Sequence, residues 1–304
     1  MNKIKLGIAV VYLITKENQQ LLELHLSQIK RCTSVPYTIY ASTNRLLPDF
    51  QAYLAKQPEV KICNCLDTQL READEHAYYL KYLVETAISD DCTHVVTLHV
   101  DSFPVRTDWV ETLVGLISTD RPLATIAKNG FLIQYSACLF FRSDFYLKYR
   151  PPFLLSKAEK RTKIYRRFLA ECPHQPVDSG VGFIFTAYIQ RLNWIALDKG
   201  DYGDPERNIM GVISQKLGLI HGDLIFHLEG AFRYSENGTK SPSKRIAQLL
   251  IVVKELFKPV VPKWLKRCLE PLYKKLVIRP VYNEVRQQLL KDPERFIKRL
   301  RTGK

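Results

Sequence analysis

Apolar residues along the first 117 positions alternate between short uninterrupted runs and longer stretches with helical spacing. The run from Ile4 to Ile14 is almost continuous, which is typical of a buried strand in a parallel sheet. The leucines between Gln19 and Ile29 recur at helical spacing and predict a helix that covers one face of that sheet. The same alternation predicts strands at Tyr37–Ala41, Val60–Cys65 and Thr93–Leu98, and helices at Pro48–Ala55, Glu75–Ile88 and Trp109–Ile117. This order favours an α/β fold with a parallel, doubly wound sheet and right-handed crossovers.

The pattern is less regular after residue 117. It predicts strands at Leu123–Ala127, Tyr135–Phe141, Trp194–Leu197 and Leu224–Leu228, a short helix directly after Tyr135–Phe141, and a longer helix at Asp178–Leu192. In the longer helix, Gly180 and Gly182 leave room for another backbone to approach closely. The stretch from Pro151 to Arg167 is basic and irregular, and we expect a mobile surface loop near an active site there.

From Ser241 onwards, apolar and basic residues alternate at helical spacing, and prolines divide the stretch into short predicted helices. The chain carries a formal net charge of +14, and residues 241–304 contribute +12 of it, with 17 basic and 5 acidic residues. The other 28 basic and 26 acidic residues leave the first 240 positions at +2. The charge therefore divides the 304 residues into a body, 1–240, and a basic amphipathic helical tail, 241–304.

Three interpretations of the tail remain open. It lies on an anionic membrane surface, it packs on the body with its lysines in solvent, or it binds nucleic acid. Phe257, Trp264 and Tyr273 are interleaved with the basic residues, which favours the membrane surface. No nucleic-acid-binding motif accompanies the charge, so we expect no nucleic acid partner.

Motifs that the sequence lacks count against several classes of protein. No GxGxxG follows the first strand, as a dinucleotide-binding fold would have, and there is no GxxxxGKS/T of a P-loop. The seven cysteines form neither a disulfide framework nor a second close pair for zinc, so we expect reduced thiols and a cytoplasmic location. No apolar run approaches the ~18 residues of a transmembrane helix, and MNKIKLGIAVVYLI is followed by no signal-peptide cleavage site.

The stretch from Thr93 to Trp109, THVVTLHVDSFPVRTDW, concentrates the candidate chemistry. Its buried strand delivers His99 and Asp101 to the carboxyl end of the sheet, where ligands bind in open α/β folds. Pro104 then stops the strand, because proline cannot donate to the ladder of hydrogen bonds. Two polar side chains at this spacing can bind a metal or a hydroxyl group. The alternative is that Asp101 only terminates a strand.

The order of elements, with the turn TKEN, the strand end STN, the helix EHAYYLKYLVE and the stretch VVTLHVDSFPVRTDWVE, resembles a glycosyltransferase of the GT-A fold, in the family-2-like group. The resemblance covers residues 4–238. It implies a Rossmann-like, mostly parallel sheet flanked by helices, and transfer of a hexosyl group from a nucleotide-sugar donor to a glycan or lipid-linked acceptor, with inversion. It also implies a divalent cation, Mn or Mg, that neutralises charge on the diphosphate. Together with the basic tail, a lipid-linked acceptor places the protein at the inner face of a membrane.

The resemblance also assigns a metal site. Asp101 matches the second, metal-binding aspartate of the family's Asp-x-Asp motif, and Mn and Mg bind such oxygen ligands. His99 stands where the family has the first aspartate, at a position that faces the ribose or a metal-bound water, and a neutral imidazole can hydrogen-bond or ligate there. His227 matches a late histidine that GT-A enzymes use as a further ligand; the alternative is a structural histidine at a strand end.

Six positions match residues that line the nucleotide in the family. They are Thr15, Asn18, Ser42, Asn44, Arg71 and His76. The family commonly has an aspartate at the end of the second strand, where Ser42 and Asn44 can pair with a base edge but carry no charge. Arg71 and His76 match positions near the diphosphate or ribose, and a surface arginine and a helix-capping histidine are the alternatives.

For the base that takes the proton of the acceptor, the resemblance favours Asp178, in the context VDSGVG at the start of a helix. A plain helix N-cap is the alternative for Asp178, and Glu171 is a second candidate for the base. Two other classes of protein remain open. One is a non-catalytic GT-A-like module that binds a nucleotide or glycan, or that scaffolds a membrane-bound assembly. The other is a nucleotidyltransferase, which TKENQQ disfavours because it lacks a glycine-rich, basic signature.

Overall fold

A computed structural model describes residues 3–14, 18–126, 136–172, 179–198, 219–228 and 279–302 of the protein. The strands are β1 Leu6–Val11, β2 Tyr37–Ser42, β3 Val60–Cys63, β4 His94–Leu98, β5 Ser102–Pro104, β6 Leu123–Ile126, β7 Cys138–Arg142, β8 Ile195–Leu197, β9 Leu219–His221 and β10 Ile225–His227. The helices are α1 Gln19–Cys32, α2 Pro48–Ala55, α3 Glu72–Ser89, α4 Trp109–Leu116, α5 Ser143–Tyr149, α6 Lys157–Lys160, α7 Lys163–Glu171, α8 Val181–Ile189, α9 Arg279–Lys291 and α10 Pro293–Thr302.

The larger sheet has seven strands in the order β3-β2-β1-β4-β7-β6-β8. β1 pairs in parallel with β2 and β4, and β2 pairs in parallel with β3, so the carboxyl ends of these four strands meet at one edge. β7 runs antiparallel to both of its neighbours. Ile8 and Val10 of the central strand are fully buried, because helices cover both faces of the sheet. The predicted class, a mostly parallel α/β sheet flanked by helices, is confirmed.

A second sheet brings a late part of the chain back to this edge. It is antiparallel, with the order β5-β10-β9. β5 begins with Ser102, which follows the end of β4 after a short turn, and His227 of β10 lies opposite Ser102 in the register. The small sheet therefore brings together two segments that are 125 positions apart in the sequence.

The last described helices, α9 and α10, pack on the body. Their apolar side chains share one buried cluster with residues of α1, β5 and β10; the members from these helices are Tyr282, Val285, Leu289, Phe296, Ile297 and Leu300. Arg301 makes two hydrogen bonds of 2.7 Å to the Asp223 carboxylate, and Nη1 of Arg286 donates to Oδ1 of Asn18 at 2.7 Å. Of the three interpretations of the tail, packing on the body therefore holds for residues 279–302. Residues 241–278 lie outside the described part of the chain.

The prediction of an irregular, mobile loop from Pro151 to Arg167 is wrong. α6 and the first half of α7 lie there, and Tyr165 and Phe168 of α7 are buried in the core. The hydroxyls of Ser156 and Thr162 cap the two helices by accepting from backbone N–H groups three residues later. Basic residues on the exposed side obscured the spacing of the buried aromatic residues.

The start of α8 also differs from the prediction. The helix begins at Val181, and Gly180 is its N-cap with a positive φ of 107°, so the alternative role of Asp178 as the N-cap is wrong. The predicted close approach of another backbone to Gly182 is confirmed, since a Cβ placed there would lie 1.9 Å from the carbonyl oxygen of Pro152. A side chain at position 182 would displace the segment that carries Pro152.

Among the described segments, no helix is long and apolar enough to cross a membrane. The six cysteines in those segments are free and buried. The expectation of unpaired thiols is therefore confirmed for these six cysteines.

Candidate functional site

Three side chains that the sequence singles out as metal ligands lie together at the carboxyl edge of the large sheet. One ligand atom from each of His99, Asp101 and His227 lies within 4.8 Å of the other two. Nδ1 of His99 is 4.0 Å from Oδ1 of Asp101, and Nε2 of His227 is 3.7 Å from the same oxygen. The side chains of Asp101 and His227 are 7% exposed and that of His99 is 31% exposed, so solvent reaches the cluster from the side of His99.

A tight turn positions His99 and Asp101. The backbone N–H of Ser102 donates to the carbonyl of His99 at 3.0 Å, and the Ser102 hydroxyl accepts from the backbone N–H of His99 at 2.8 Å. The same hydroxyl donates to the carbonyl of Ala137 at 2.5 Å. From α1, Nδ1–H of His25 donates to the carbonyl of Ser102 at 3.0 Å. The turn is thereby tied to α1 and to the segment before β7, which limits how far the two ligands can move apart.

The three donor atoms fit a divalent transition-metal ion. Two ligands that each lie about 2.1 Å from one ion are about 3.0 Å apart in octahedral geometry and about 3.4 Å apart in tetrahedral geometry. The two separations from Asp101, 3.7 and 4.0 Å, exceed these values by at most about 1 Å, and the ligand atoms of the two histidines lie within 4.8 Å of each other. Side-chain rotations must therefore bring all three atoms closer around an ion. Imidazole nitrogens suit transition metals, whereas Mg prefers oxygens, so this set favours Mn over Mg. Three protein ligands leave further coordination positions for a substrate.

A row of hydrogen bonds lies behind His99. Its Nε2 atom is 3.0 Å from the hydroxyl of Ser136, and that hydroxyl is 2.9 Å from the hydroxyl of Ser179. Ser179 in turn lies 2.9 Å from Nδ1 of His76. The rings of His76 and His99 also meet edge to face, with centroids 5.2 Å apart. His76, expected near the diphosphate or ribose, therefore lies beside a candidate metal ligand.

Two histidines near the cluster are neutral at physiological pH. Burial lowers the pKa of His25 to about 4, against the smaller opposing effects of its hydrogen bond to Ser102 and of the Asp101 charge. Burial, together with the nearby His99, lowers the pKa of His76 to about 3. Neutral imidazoles add no positive charge that would repel a cation, and each keeps one nitrogen that can accept a hydrogen bond.

Ser42 and Asn44 lie along the same edge as the metal ligands. Ser42 ends β2, which is separated from β4 by β1, so the two strands are about 10 Å apart. The amide nitrogen of Asn44 donates to the carbonyl of Cys65 and to the carboxylate of Asp67, both at 2.9 Å. Oδ1 of Asn44 accepts from the Ser42 hydroxyl at 3.0 Å. Both amide hydrogens of Asn44 are thus in use, and the exposed acceptor beside it is Asp67.

The remaining nucleotide candidates have different surroundings. Asn18 is buried directly before α1, where its side chain accepts from Arg286 of α9. Arg71 is the N-cap residue of α3, is exposed, and donates to the carbonyl of Leu70 at 2.9 Å. Thr15 lies outside the described residues. The structure therefore links one of these candidates to the C-terminal helices, which the sequence did not indicate.

The first candidate for the base, Asp178, also lies outside the described residues. The second candidate, Glu171, is held by two donors: the hydroxyl of Tyr188 at 2.6 Å and Nε of Arg167 at 2.7 Å. These two hydrogen bonds lower the pKa of Glu171, Tyr188 having the larger effect. A carboxylate with a lowered pKa is a weaker base, so these contacts disfavour Glu171 for the role.

Sequence reasoning missed four polar residues that shape the cluster: Ser102, Ser136, Ser179 and His25. Two of them had a signal, since Ser102 directly follows Asp101 and Ser179 directly follows Asp178. The other two had none. Ser136 precedes an apolar strand, and His25 interrupts the apolar face of α1, where a polar residue is not expected to be buried.

No protein-family model matches the chain, and no curated protein matches it. Among solved structures, the chain is similar to the glycosyltransferase GlyE of Streptococcus pneumoniae TIGR4, with 13% identity and a TM-score of 0.41. That match covers 95% of this chain, which spans only 64% of GlyE. A putative nucleotide-diphospho-sugar transferase of Desulfovibrio desulfuricans G20 has 13% identity and a TM-score of 0.40, over 65% of this chain and 80% of that one.

A third similar structure is 4-diphosphocytidyl-2C-methyl-D-erythritol synthase of Anaerococcus prevotii DSM 20548. It has 10% identity and a TM-score of 0.40, over 64% of this chain and 87% of that chain. Identities of this size say nothing about activity. The seven-stranded sheet agrees with the mostly parallel α/β sheet that the sequence predicts.

Proposed function

We propose that the protein is a glycosyltransferase that moves a hexosyl group from a nucleotide-sugar donor to a glycan or lipid-linked acceptor. The observation that supports this function is the meeting of His99, Asp101 and His227 at the carboxyl edge of the parallel sheet. A cation that bridges protein and diphosphate needs a few protein ligands and open positions for phosphate oxygens. This cluster offers three ligands beside the crevice where open α/β folds bind their substrates.

A bound divalent cation, Mn in preference to Mg, would supply positive charge that stabilises the nucleoside diphosphate as it leaves. Asp101 contributes the only negative charge of the three ligands, and its burial strengthens its interaction with a cation. His227 and His99 complete the set, with nitrogens 3.7 and 4.0 Å from the same Oδ1 atom of this carboxylate. Because His99 is the most exposed of the three ligands, we place the diphosphate on its side.

We assign the nucleoside to the carboxyl ends of β2 and β3. Ser42 and the pair Asn44 and Asp67 lie at the ends of β2 and β3, two strands away from the cluster in the direction of β3. In this proposal Asp67 takes the place of the strand-end aspartate that the family commonly has, and its carboxylate accepts from an N–H of the base or from a ribose hydroxyl. Thr15 and Arg71 remain candidates for the ribose and the diphosphate.

For the transfer itself, Asp178 takes the proton of the acceptor hydroxyl as that oxygen attacks the anomeric carbon, which inverts the configuration. Ser179, the next residue in the sequence, is tied through Ser136 to His99. Ser179, which directly follows the proposed base, is therefore two hydrogen bonds away from the candidate metal ligand His99.

A location at the inner face of a membrane remains part of the proposal for lipid-linked acceptors. Residues 279–302 pack on the body, so a membrane contact would fall to residues 241–278. That segment contains the aromatic residues Phe257, Trp264 and Tyr273 and most of the basic residues of the tail.

The test is calorimetric titration of the metal-free protein with UDP, GDP, CDP and dTDP, each with Mn, with Mg and with a chelator. We expect micromolar binding of one nucleotide with Mn, weaker binding with Mg, and loss of the metal-dependent part in Asp101→Asn. Asp120→Asn is the matched control, because Asp120 is an exposed aspartate just before β6, at the opposite edge of the sheet. Binding that is the same with metal and with chelator would refute the role of Asp101. No binding of any nucleotide would favour the non-catalytic module.

A further inference from the structure

Four side chains from four separate segments form the row of hydrogen bonds His99, Ser136, Ser179 and His76. Its two hydroxyls are shielded from water, Ser136 being 0% and Ser179 2% exposed. The segments are also fixed by the backbone. The carbonyl of Ser136 accepts from the hydroxyl of Thr97 at 2.6 Å. Next to Ser179, the backbone N–H of Gly180 donates to the carbonyl of Phe153 at 2.7 Å.

A neutral imidazole carries one N–H and a serine hydroxyl carries one hydrogen, which limits how the row can be arranged. If Ser136 donates to Nε2 of His99, then Ser179 must donate to Ser136 and Nδ1–H of His76 must donate to Ser179, and His99 carries its proton on Nδ1. In every other arrangement, Nε2–H of His99 donates to Ser136. When the row then runs in one direction, Ser136 donates to Ser179, and Ser179 donates to Nδ1 of His76.

Only the arrangements in which Nε2–H of His99 donates are compatible with a cation. Nδ1 is the nitrogen of His99 that faces Asp101, at 4.0 Å from its Oδ1 atom. A proton on Nδ1 would occupy the lone pair that a metal ion requires. A proton on Nε2 leaves this lone pair free and finds an acceptor in the buried hydroxyl of Ser136.

We infer that Ser136 and Ser179 are positioning residues for cation binding, which hold His99 in the Nε2–H tautomer with His76 as the terminal acceptor of the row. They act through His99 and touch neither the cation nor the donor. The inference rests on the proposed cation site. It assigns a function to two serines that directly follow segments outside the described residues, and it gives His76 a role in addition to the predicted contact with the nucleotide.

The first experiment measures the affinity of the full-length, metal-free protein for Mn. We expect Ser136→Ala and Ser179→Ala to lose about 10- to 100-fold in affinity, the usual effect of removing a group that orients a metal-bound histidine. Ser136→Thr keeps the hydroxyl and should restore most of the affinity. Ser143→Ala is the matched control, because Ser143 is also buried but donates to the carbonyl of Cys92 at 2.5 Å, near the amino end of β4. It should bind Mn as the wild type does.

The second experiment reads the tautomers by ¹⁵N NMR of histidine-labelled protein with and without Zn, a diamagnetic ion. In the Zn-loaded wild type, His99 should show a metal-bound Nδ1 and a protonated Nε2, and His76 a protonated Nε2. Ser179→Ala should change the tautomer of His76 without changing that of His94, whose Nδ1 lies 3.0 Å from the Thr93 hydroxyl.

The outcomes separate the two proposals. Wild-type Mn affinity in both alanine variants, or a proton on Nδ1 of His99 in the Zn-loaded protein, overturns the inference and leaves the cation site standing. A wild-type protein that binds neither ion overturns the proposed function and this inference together. A thermal melt of each variant shows whether a lost affinity follows from lost folding, and Ser136→Thr then decides, because it keeps the hydroxyl.

Discussion

Gly182→Ala tests the packing between α8 and the segment that carries Pro152. Gly182 lies in the first turn of α8, and a Cβ there would lie 1.9 Å from the carbonyl oxygen and 2.8 Å from the carbonyl carbon of Pro152. Both are backbone atoms, so helix and loop must separate by about 1 Å. Overpacking of this kind costs about 1–3 kcal/mol or more, and the higher helix propensity of alanine returns up to about 1 kcal/mol. We expect the variant to lose about 2 kcal/mol of unfolding free energy.

Gly115→Ala is the control within the same chain. Gly115 lies in α4, and a Cβ there would meet nothing within 4 Å, so only the gain in helix propensity remains, about 0.5–1 kcal/mol. Urea denaturation followed by circular dichroism measures both variants, and their midpoints should move in opposite directions. Equal midpoints for the two variants would refute the reasoning, because they would show that the segment with Pro152 yields to a methyl group at no cost.

Three further changes have expected outcomes. Asp178→Asn should leave nucleotide affinity intact and lower turnover by about 10²- to 10⁴-fold, as measured by release of the nucleoside diphosphate; near-normal turnover would transfer the role to Glu171. Between pH 6.5 and about 4 the unfolded chain binds a proton on His25 that the folded chain does not. The unfolding free energy should therefore fall as the pH is lowered through this range, by up to about 3 kcal/mol. His25→Gln should make this dependence less steep, by the slope that corresponds to the binding of about one proton. Phe296→Ala should cost about 3–5 kcal/mol in urea denaturation, since Phe296 is 3% exposed and packs against Phe226; an unchanged midpoint would show that α10 adds nothing to the body.

Hydrophobic periodicity located the strands and helices of the large sheet well. The helix predicted at Pro48–Ala55 has the same bounds in the structure, and the strand predicted at Tyr37–Ala41 extends by only one residue. These elements were predictable because each is defined by its own run of apolar residues. His99 and Asp101 were predictable for a similar reason, since both follow a buried strand directly and the fold places strand ends at the crevice.

Contacts between distant segments were not predictable in this way. The hydroxyls of Ser136 and Ser179 are 43 positions apart in the sequence, and a serine leaves no periodic signal when it is buried. The packing of α10 against Phe226 could not be read from a stretch rich in arginine and lysine, because such a stretch is equally typical of a membrane-bound helix. His227 was found only through the family resemblance, since nothing near it in the sequence points to Asp101.

The hydrogen bond between Asn18 and Arg286 joins residues that are 268 positions apart. At about 5–20 residues per second, a ribosome needs on the order of 10 to 60 s to synthesise the chain between them. During that time Leu21 and Leu24 of α1, which share a buried cluster with α9 and α10, have no C-terminal helices to cover them. Apolar surface that stays uncovered on a nascent chain is what chaperones bind. This apolar surface of α1 should therefore be open to chaperones until the C-terminal helices have been synthesised.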